Sequence, residues 1–150
     1  MPFPPLIKAD TGGNEEGRVA RKGKSSGSRH PVGAQNGALR AARLGAIKSD
    51  IVDNLRQHSL SIHATASRHG ISTRYIHQLF AADGTSFADF VLHQRLAVAH
   101  LMLNDMRFAD RSISAIAFEI GFGNVSAFNR VFRRHFGATP NEVREQARSR

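Results

Sequence analysis

Residues 113–140 read ISAIAFEIGFGNVSAFNRVFRRHFGATP, and this stretch decides the fold of the chain. It begins with Ile113, has a small alanine four positions later and reaches Gly121 after another four. A second helical pattern, built on phenylalanine, follows the glycine. Glycine ends a helix easily because it adopts the left-handed turn without steric cost. This order of residues is typical of a helix-turn-helix, in which two short helices pack across a tight turn.

The same pattern occurs earlier in the chain, where residues 62–84 read IHATASRHGISTRYIHQLFAADG. Matching residues of the two copies keep a constant separation within each helix, and that separation grows by one residue at each turn. A repeat that varies only at its turns indicates two copies of one structural unit. Two helix-turn-helix units in a basic protein indicate that one chain reads DNA at two places.

The composition narrows the class of protein. The chain has 150 residues and a formal net charge of +9, which favours an anionic partner, although a basic protein without one stays an alternative. It contains no cysteine, which excludes disulfides, thiolate metal sites and thiol nucleophiles. No apolar run reaches membrane-spanning length, and the N-terminus lacks the apolar core of a signal peptide. We therefore expect a cytoplasmic protein with no membrane contact.

The chain divides into two parts. Residues 1–38 are predicted to form a disordered, basic, glycine-rich arm, because they have too few apolar side chains to offset the entropy of ordering. This arm either adds non-specific affinity for phosphate or is a solvated tail. A third explanation is that it is an artefact of a start codon assigned too far upstream. Residues 39–150 carry the periodic apolar pattern of a folded domain.

Apolar spacing predicts seven helices and no strand, so the predicted fold class is all-α, with two helix-turn-helix subdomains joined by a long linker helix. The predicted helices span about 41–58, 62–69, 73–82, 86–104, 113–120, 125–136 and 140–148. On the linker helix, the residues expected to face apolar neighbours are Phe87, Phe90, Val91, Ala97, Leu101 and Met102.

Side chains that can accept hydrogen bonds from helix N-termini support these boundaries. The predicted N-caps are Ser61, Ser72, Ser86, Ser112, Asn124 and Thr139. Thr139 is followed by a proline and by Glu142, which is the pattern of a capping box. Ser86 with Asp89 resembles the same motif.

Several residue types recur at fixed spacing in both halves of the domain. The second half contains Ile113-x-x-Ile116-Ala117-x-x-x-Gly121-Phe122, Ser126-x-Phe128-x-Arg130-x-Phe132-Arg133 and Gly137-x-Thr139-Pro140. The first half contains Gly70-Ile71-Ser72, Tyr75-Ile76-x-x-Leu79-Phe80, Gly84 and Arg95-Leu96-x-x-Ala99. On these motifs the chain resembles, from Leu60 to Arg144, the DNA-binding domain of the AraC/XylS transcription regulators.

The resemblance implies a sequence-specific transcription regulator and not an enzyme, with double-stranded DNA as its partner, RNA polymerase as a further one and no cofactor. Val143 departs from the family, which usually has an aromatic residue there, so we expect the last helix to dock more weakly. Because residues 1–38 hold no folded sensor pattern, we expect no small-molecule effector in this chain.

The first reading helix, 73–82, is predicted to present polar side chains to DNA. Its inward set is Tyr75, Ile76, Leu79 and Phe80, and its outward set is Thr73, Arg74, His77 and Gln78. Arginine suits guanine O6 and N7, glutamine suits adenine N6 and N7, and histidine can donate or accept. The resemblance places Arg74, His77 and Gln78 where the family's first reading helix meets bases, and we assign Thr73 to phosphate. For each of these three base-reading candidates, the alternative is a solvated side chain or a contact with phosphate only.

The second reading helix, 125–136, has an inward set of Phe128, Val131, Phe132 and Phe136. Its base-reading candidates are Val125, Asn129 and Arg130, because valine can meet a thymine methyl while asparagine and arginine suit base edges. Its phosphate candidates are Asn124, Ser126, Arg133 and Arg134. The alternative for Arg130 is a bracing role through a nearby carboxylate. Phe122 is expected to pack in the core rather than stack on a base.

Two further features leave rival interpretations open. Arg95 on the linker helix could contact phosphate or pair with an acid such as Asp89. The histidines do not form a metal site, because His93 and His100 share a helix face but lie about 10.5 Å apart along the axis, too far for one ion.

Two other classes of function compete with DNA reading. DNA repair proteins that accept a methyl group carry the same type of helix-turn-helix, but they need a cysteine acceptor, and this chain has none. A helical protein-interaction module, or a truncated remnant without regulatory activity, is the third hypothesis. Salt-sensitive, sequence-selective DNA binding separates the regulator from both rivals.

Overall fold

Seven α-helices make up most of the part of the chain that the computed structural model describes, residues 32–150. They are α1 (Val32–Asp53), α2 (Ile62–His69), α3 (Thr73–Ala82), α4 (Phe87–Asn104), α5 (Ile113–Glu119), α6 (Val125–Phe136) and α7 (Pro140–Arg148). A single 3-10 turn, Met106–Phe108, lies between α4 and α5. Within residues 32–150 no strand occurs, which confirms the predicted all-α class.

The first helix departs from the prediction at both ends. It begins at Val32, so residues 32–38, which the sequence assigned to the disordered arm, are helical. Every side chain from 33 to 42 is exposed, and a helix that buries no face leaves no apolar periodicity to detect. At its other end α1 stops at Asp53, before the predicted 58, and the chain turns through residues 54–60. Residues 1–31, the rest of the predicted arm, lie outside the described part.

The predicted N-caps are confirmed. Backbone N–H groups three residues further on donate to the side-chain oxygens of Ser61, Ser72, Ser86, Ser112, Asn124 and Thr139. At α7 the capping box is complete, since the Thr139 N–H also donates to Glu142 Oε2 at 2.6 Å. These hydrogen bonds from Thr139 hold the pKa of Glu142 below its usual range. At α4 the box is incomplete, because the Ser86 hydroxyl itself donates to Asp89 Oδ2 at 2.9 Å.

The molecule has two hydrophobic cores, which share α4. The first core joins α1, α2 and α3 to the first half of α4, and the second joins α5, α6 and α7 to its second half. Phe80 and Ile76 are fully buried in the first core, and Phe128 and Phe132 are fully buried in the second. Two subdomains on one linker helix follow directly from this arrangement, as the repeat predicted.

The two cores use opposite faces of α4. The first core takes Phe87, Phe90 and Val91 from the helix, and the second takes Leu96, Ala99, Met102 and Leu103. At about 100° per residue, these sets lie on roughly opposite sides of the helix. The prediction that Leu101 faces apolar neighbours was wrong: it continues the first face into a region that the first subdomain does not reach, and it is 55% exposed.

The last helix docks despite its departure from the family pattern. Val143 is buried in the second core, and α7 lies against both α4 and α6. Phe122 is half-buried and its ring packs edge-on against Phe128, with ring centroids 5.0 Å apart, as expected of a core residue.

Candidate nucleic-acid interface

The exposed face of α3 carries the three predicted base readers. Arg74, His77 and Gln78 are exposed, while the opposite side of the helix is buried in the first core through Ile76, Leu79 and Phe80. The apolar side holds the helix to the domain, which leaves the polar side free to approach a base edge. Thr73, the predicted phosphate contact, is half-buried at the first position of the helix.

Tyr75 is less buried than its predicted inward position implies. It is half-buried, and the Arg43 guanidinium of α1 lies over its ring, 5.7 Å from the centroid. This cation–π contact ties the exposed half of α1 to the first turn of α3.

The exposed face of α6 forms a shallow basic groove. Four predicted DNA contacts and one residue of the next cap line it: Asn129, Arg130, Arg133, Arg134 and Thr139. Phe128 and Phe132 hold the opposite side of α6 in the second core. The structure therefore brings base-reading and phosphate candidates together on one surface.

The first turn of α6 is more constrained than its sequence suggests. The Oδ1 atom of Asn124 accepts the Ala127 N–H at 2.9 Å, so only its amide nitrogen is left to donate to a phosphate. Ser126 is exposed at the second position of the helix. Val125 is half-buried and packs against the second core, which reduces the surface that it can offer to a thymine methyl.

The arginines of the two reading faces differ from five arginines elsewhere in the fold. Arg56, Arg68, Arg107, Arg111 and Arg148 each form a salt bridge with an acid. Within residues 32–150 no salt bridge involves Arg74, Arg130, Arg133 or Arg134. A carboxylate brace for Arg130 therefore has no counterpart in the described part of the chain, and the exposed arginines of α3 and α6 keep their positive charge at the surface.

Sequence reasoning missed one residue beside the first reading face. Arg40 of α1 lines an open groove together with Gln78 of α3, and it lies in a second groove with Tyr75. It was overlooked because the helix was predicted to begin at 41. Arg40 and Arg43 stand three residues apart, the spacing of neighbours on one helix face, and that pair was the available signal.

The interpretation that Arg95 pairs with an acid is wrong, and a contact with phosphate stays a prediction. Its guanidinium donates to two backbone carbonyl oxygens, those of Leu55 at 3.1 Å and Gln57 at 3.2 Å. Burial lowers the pKa of Arg95, as expected when a cation is removed from water.

Two further observations concern metal ions and membranes as possible partners. In residues 32–150 no group of three or more His, Cys, Asp or Glu side chains is placed to hold a metal ion. None of the helices described is both long enough and apolar enough to cross a membrane.

The chain is similar to known helix-turn-helix proteins over the helices that carry this surface. A family model described as a helix-turn-helix domain matches residues 65–146. The transcriptional activator RhrA of Rhizobium meliloti (strain 1021) is 37% identical over 105 residues, which cover 70% of this chain and 33% of RhrA. The chain thus spans about a third of that relative.

Shorter relatives align over nearly their whole length. The regulatory protein SoxS of Escherichia coli (strain K12) is 29% identical over 96 residues, which cover 63% of this chain and 87% of SoxS. A crystal structure of a transcriptional regulator from Chromobacterium violaceum, described as AraC-type, is 30% identical with a TM-score of 0.65. That alignment covers 73% of this chain and 96% of the other.

Proposed function

Because the chain belongs to the AraC/XylS family of helix-turn-helix transcription regulators, we propose that it binds double-stranded DNA sequence-specifically and regulates transcription. In this proposal α3 and α6 read two adjacent segments of the major groove. RNA polymerase as a second partner and the lack of an effector in this chain stay predictions.

One observation carries the proposal: two reading faces of matching construction stand on a single linker helix. Each has a buried apolar side and an exposed side that bears arginine and an amide, Arg74 with Gln78 on α3 and Arg130 with Asn129 on α6. Arginine and amide side chains make the bidentate contacts that distinguish guanine and adenine in the major groove. His77 and Val125 complete the base-reading set.

The phosphate contacts flank these readers. Thr73 begins α3, and Asn124 and Ser126 lie at the start of α6, where backbone N–H groups and the helix dipole favour an anion. Arg133 and Arg134 line the same groove as Asn129 and Arg130. We add Arg40, whose position beside Gln78 suits the DNA backbone next to the first reading helix.

A nuclease footprint tests the two-site arrangement. The 18 residues of α4 span about 27 Å, comparable with the roughly 34 Å between successive major-groove faces on one side of DNA. A single chain is expected to protect two adjacent major-groove segments about one turn apart. Because α3 and α6 differ in sequence, the bound site should be asymmetric. Protection confined to half a turn, or a palindromic site, would contradict the proposal.

Substitution of single arginines separates base readers from phosphate clamps. Arg74→Ala is expected to cost about 1–3 kcal/mol of binding free energy at the cognate site and to relax the preference at one base position. Arg134→Ala and Arg40→Ala should weaken binding about equally on all sequences and reduce the salt slope by about one unit each. Affinities on cognate and random duplexes, measured across a salt series, give both quantities.

The salt-bridged Arg107 provides a matched control for that series. It is exposed, pairs with Asp105 at 2.6 Å and does not line the grooves beside α3 and α6, so Arg107→Ala should leave the base preference unchanged. If Arg74→Ala lowered cognate and random binding by the same factor, Arg74 would be a phosphate contact. If Arg40→Ala left random binding unchanged, Arg40 would lie outside the DNA path.

A further inference from the structure

Besides α4, a small set of side chains links the two subdomains directly. It connects the turn that follows α1 to the C-terminal end of α5, on one flank of α4. We call this set the seam; its members are Arg56, His58, Arg95, Phe118, Glu119 and Gly121. None of them belongs to the base-reading or phosphate sets proposed above.

Arg95 occupies the centre of the seam. It lies on α4 about midway around the helix between the faces that the two cores use. Its Nε and Nη2 atoms donate to the backbone carbonyls of Leu55 and Gln57, in the turn of the first subdomain. The two hydrogen bonds fix the guanidinium, because its planar fork presents donors in a rigid geometry.

Gly121 brings the second subdomain against the same guanidinium. A Cβ atom at Gly121 would lie 2.6 Å from Arg95 Cζ, closer than real Cβ contacts. The positive φ of 99° at Gly121 makes the turn of the second helix-turn-helix, so this turn is also the surface on which Arg95 rests. Arg95 is thus held between the two subdomains.

Two outer contacts extend the seam. Arg56 Nη1 donates to Glu119 Oε1 at 2.8 Å, and Glu119 also pairs with Arg111 of its own subdomain. The rings of His58 and Phe118 lie 4.4 Å apart, centroid to centroid. Phe118 is otherwise 64% exposed, so its contact with His58 is a surface contact and not part of either core.

The seam matters because little besides it and α4 joins the two subdomains. They take side chains from opposite faces of α4, and Val98 is a half-buried residue that packs against both. The linker helix sets the separation of α3 and α6, but their relative rotation depends on what joins the subdomains beside it. One base pair inserted between two DNA half-sites rotates them by about 35°, so a rigid pair of readers tolerates few spacings.

We propose that the seam sets which spacing of half-sites the protein accepts, with Arg95 as its main positioning residue. This rests on the proposed function, in which α3 and α6 read two segments. A rigid seam concentrates affinity at one spacing, and a loosened seam spreads a lower affinity over several spacings.

The test measures affinity against half-site spacing. The probe is a duplex selected from a random library with the intact chain, in versions with up to two base pairs inserted or deleted between the two protected segments. For the unaltered protein, one inserted base pair is expected to lower affinity about tenfold or more; for Arg95→Met the same insertion should cost less than about threefold. Arg95→Lys should recover part of the spacing preference, since lysine keeps the positive charge and its ammonium group can still donate to a backbone carbonyl.

A merely structural role gives a different profile. If Arg95→Met lowers affinity by the same factor at every spacing, the proposal is overturned. Arg107→Met is the matched control, because Arg107 pairs only with the nearby Asp105 and is not a member of the seam. It should keep the dependence of affinity on spacing that the unaltered protein shows. Should Arg95→Met fail to fold, Arg95→Lys carries the same test: its preference for one spacing should be weaker than that of the unaltered protein, and an unchanged preference would overturn the proposal.

A second measurement needs no DNA. The chain lacks cysteine, so spin labels can be placed at Ser67→Cys on α2 and Gln146→Cys on α7, both exposed, without other changes. The distance distribution between the labels should broaden in Arg95→Met and stay narrow in Arg107→Met. An unchanged distance distribution in Arg95→Met would overturn the proposal that the seam fixes the two subdomains. Broadening without any sequence-selective DNA binding would instead show that the proposed function had failed.

Discussion

Phe128→Ala is expected to lower the free energy of unfolding by about 3–5 kcal/mol, the range for removing a buried phenylalanine. Phe128 is fully buried, and its ring lies 5.0 Å from that of Phe122 and 5.4 Å from that of Phe132, centroid to centroid. The cavity would open under α6, beneath the basic groove. A small domain has only about 5–15 kcal/mol of stability in total, so this loss removes a large share of the free energy that keeps the second reading face folded.

Urea unfolding followed by circular dichroism measures this cost. Phe118 supplies a matched control, since it is the same residue type on the neighbouring helix but is 64% exposed. Phe118→Ala should lower the free energy of unfolding by only about 0.5–1.5 kcal/mol, the range for a ring contact such as that with His58. Equal effects of the two substitutions would mean that the second core does not depend on Phe128.

Gly121→Ala is expected to destabilise the fold more than Gly70→Ala, although both glycines make the turn of a helix-turn-helix. Both have positive φ, 99° and 63°, which costs an alanine about 1–2 kcal/mol. At Gly70 a Cβ would meet nothing within 4 Å, whereas at Gly121 it would meet the Arg95 guanidinium. The guanidinium must then move away from the carbonyls of Leu55 and Gln57, and losing such charged hydrogen bonds costs about 1.5–3 kcal/mol more.

A double-mutant cycle isolates that additional cost. When Arg95 is already alanine, the Gly121 substitution should cost only as much as the Gly70 substitution, because no guanidinium remains to be displaced. Urea unfolding of the four proteins gives the coupling free energy. Equal costs at Gly70 and Gly121 in the unaltered background would show that Arg95 yields freely and contributes little to the turn.

The helices with strong local signals were predicted with the correct ends. α2, α3 and α6 begin and end where the sequence placed them, because each has a hydrogen-bonding N-cap, and Gly70 and Gly137 end two of them in the left-handed conformation. The exposed faces of α3 and α6 followed from the same periodicity, since a helix that must bury one side necessarily exposes the other.

Errors arose where long-range packing decides the outcome. Leu101 continues the apolar face of the first half of α4, but a subdomain covers that face only along the first half. Periodicity records which side of a helix is apolar and does not record where the neighbouring elements stop. The start of α1 was missed for the converse reason, because a helix exposed from 33 to 42 leaves no apolar pattern.

By itself, the sequence determined that this protein is a repeat of two helix-turn-helix units, with their caps, turns and outward polar faces, because those features depend on residues close together in the chain. Only the tertiary structure decided what Arg95 does and that Arg40 lies beside Gln78. Both contacts join segments that are about 40 residues apart. No local pattern contains such pairings, since they exist only once segments that are distant in the sequence have packed together.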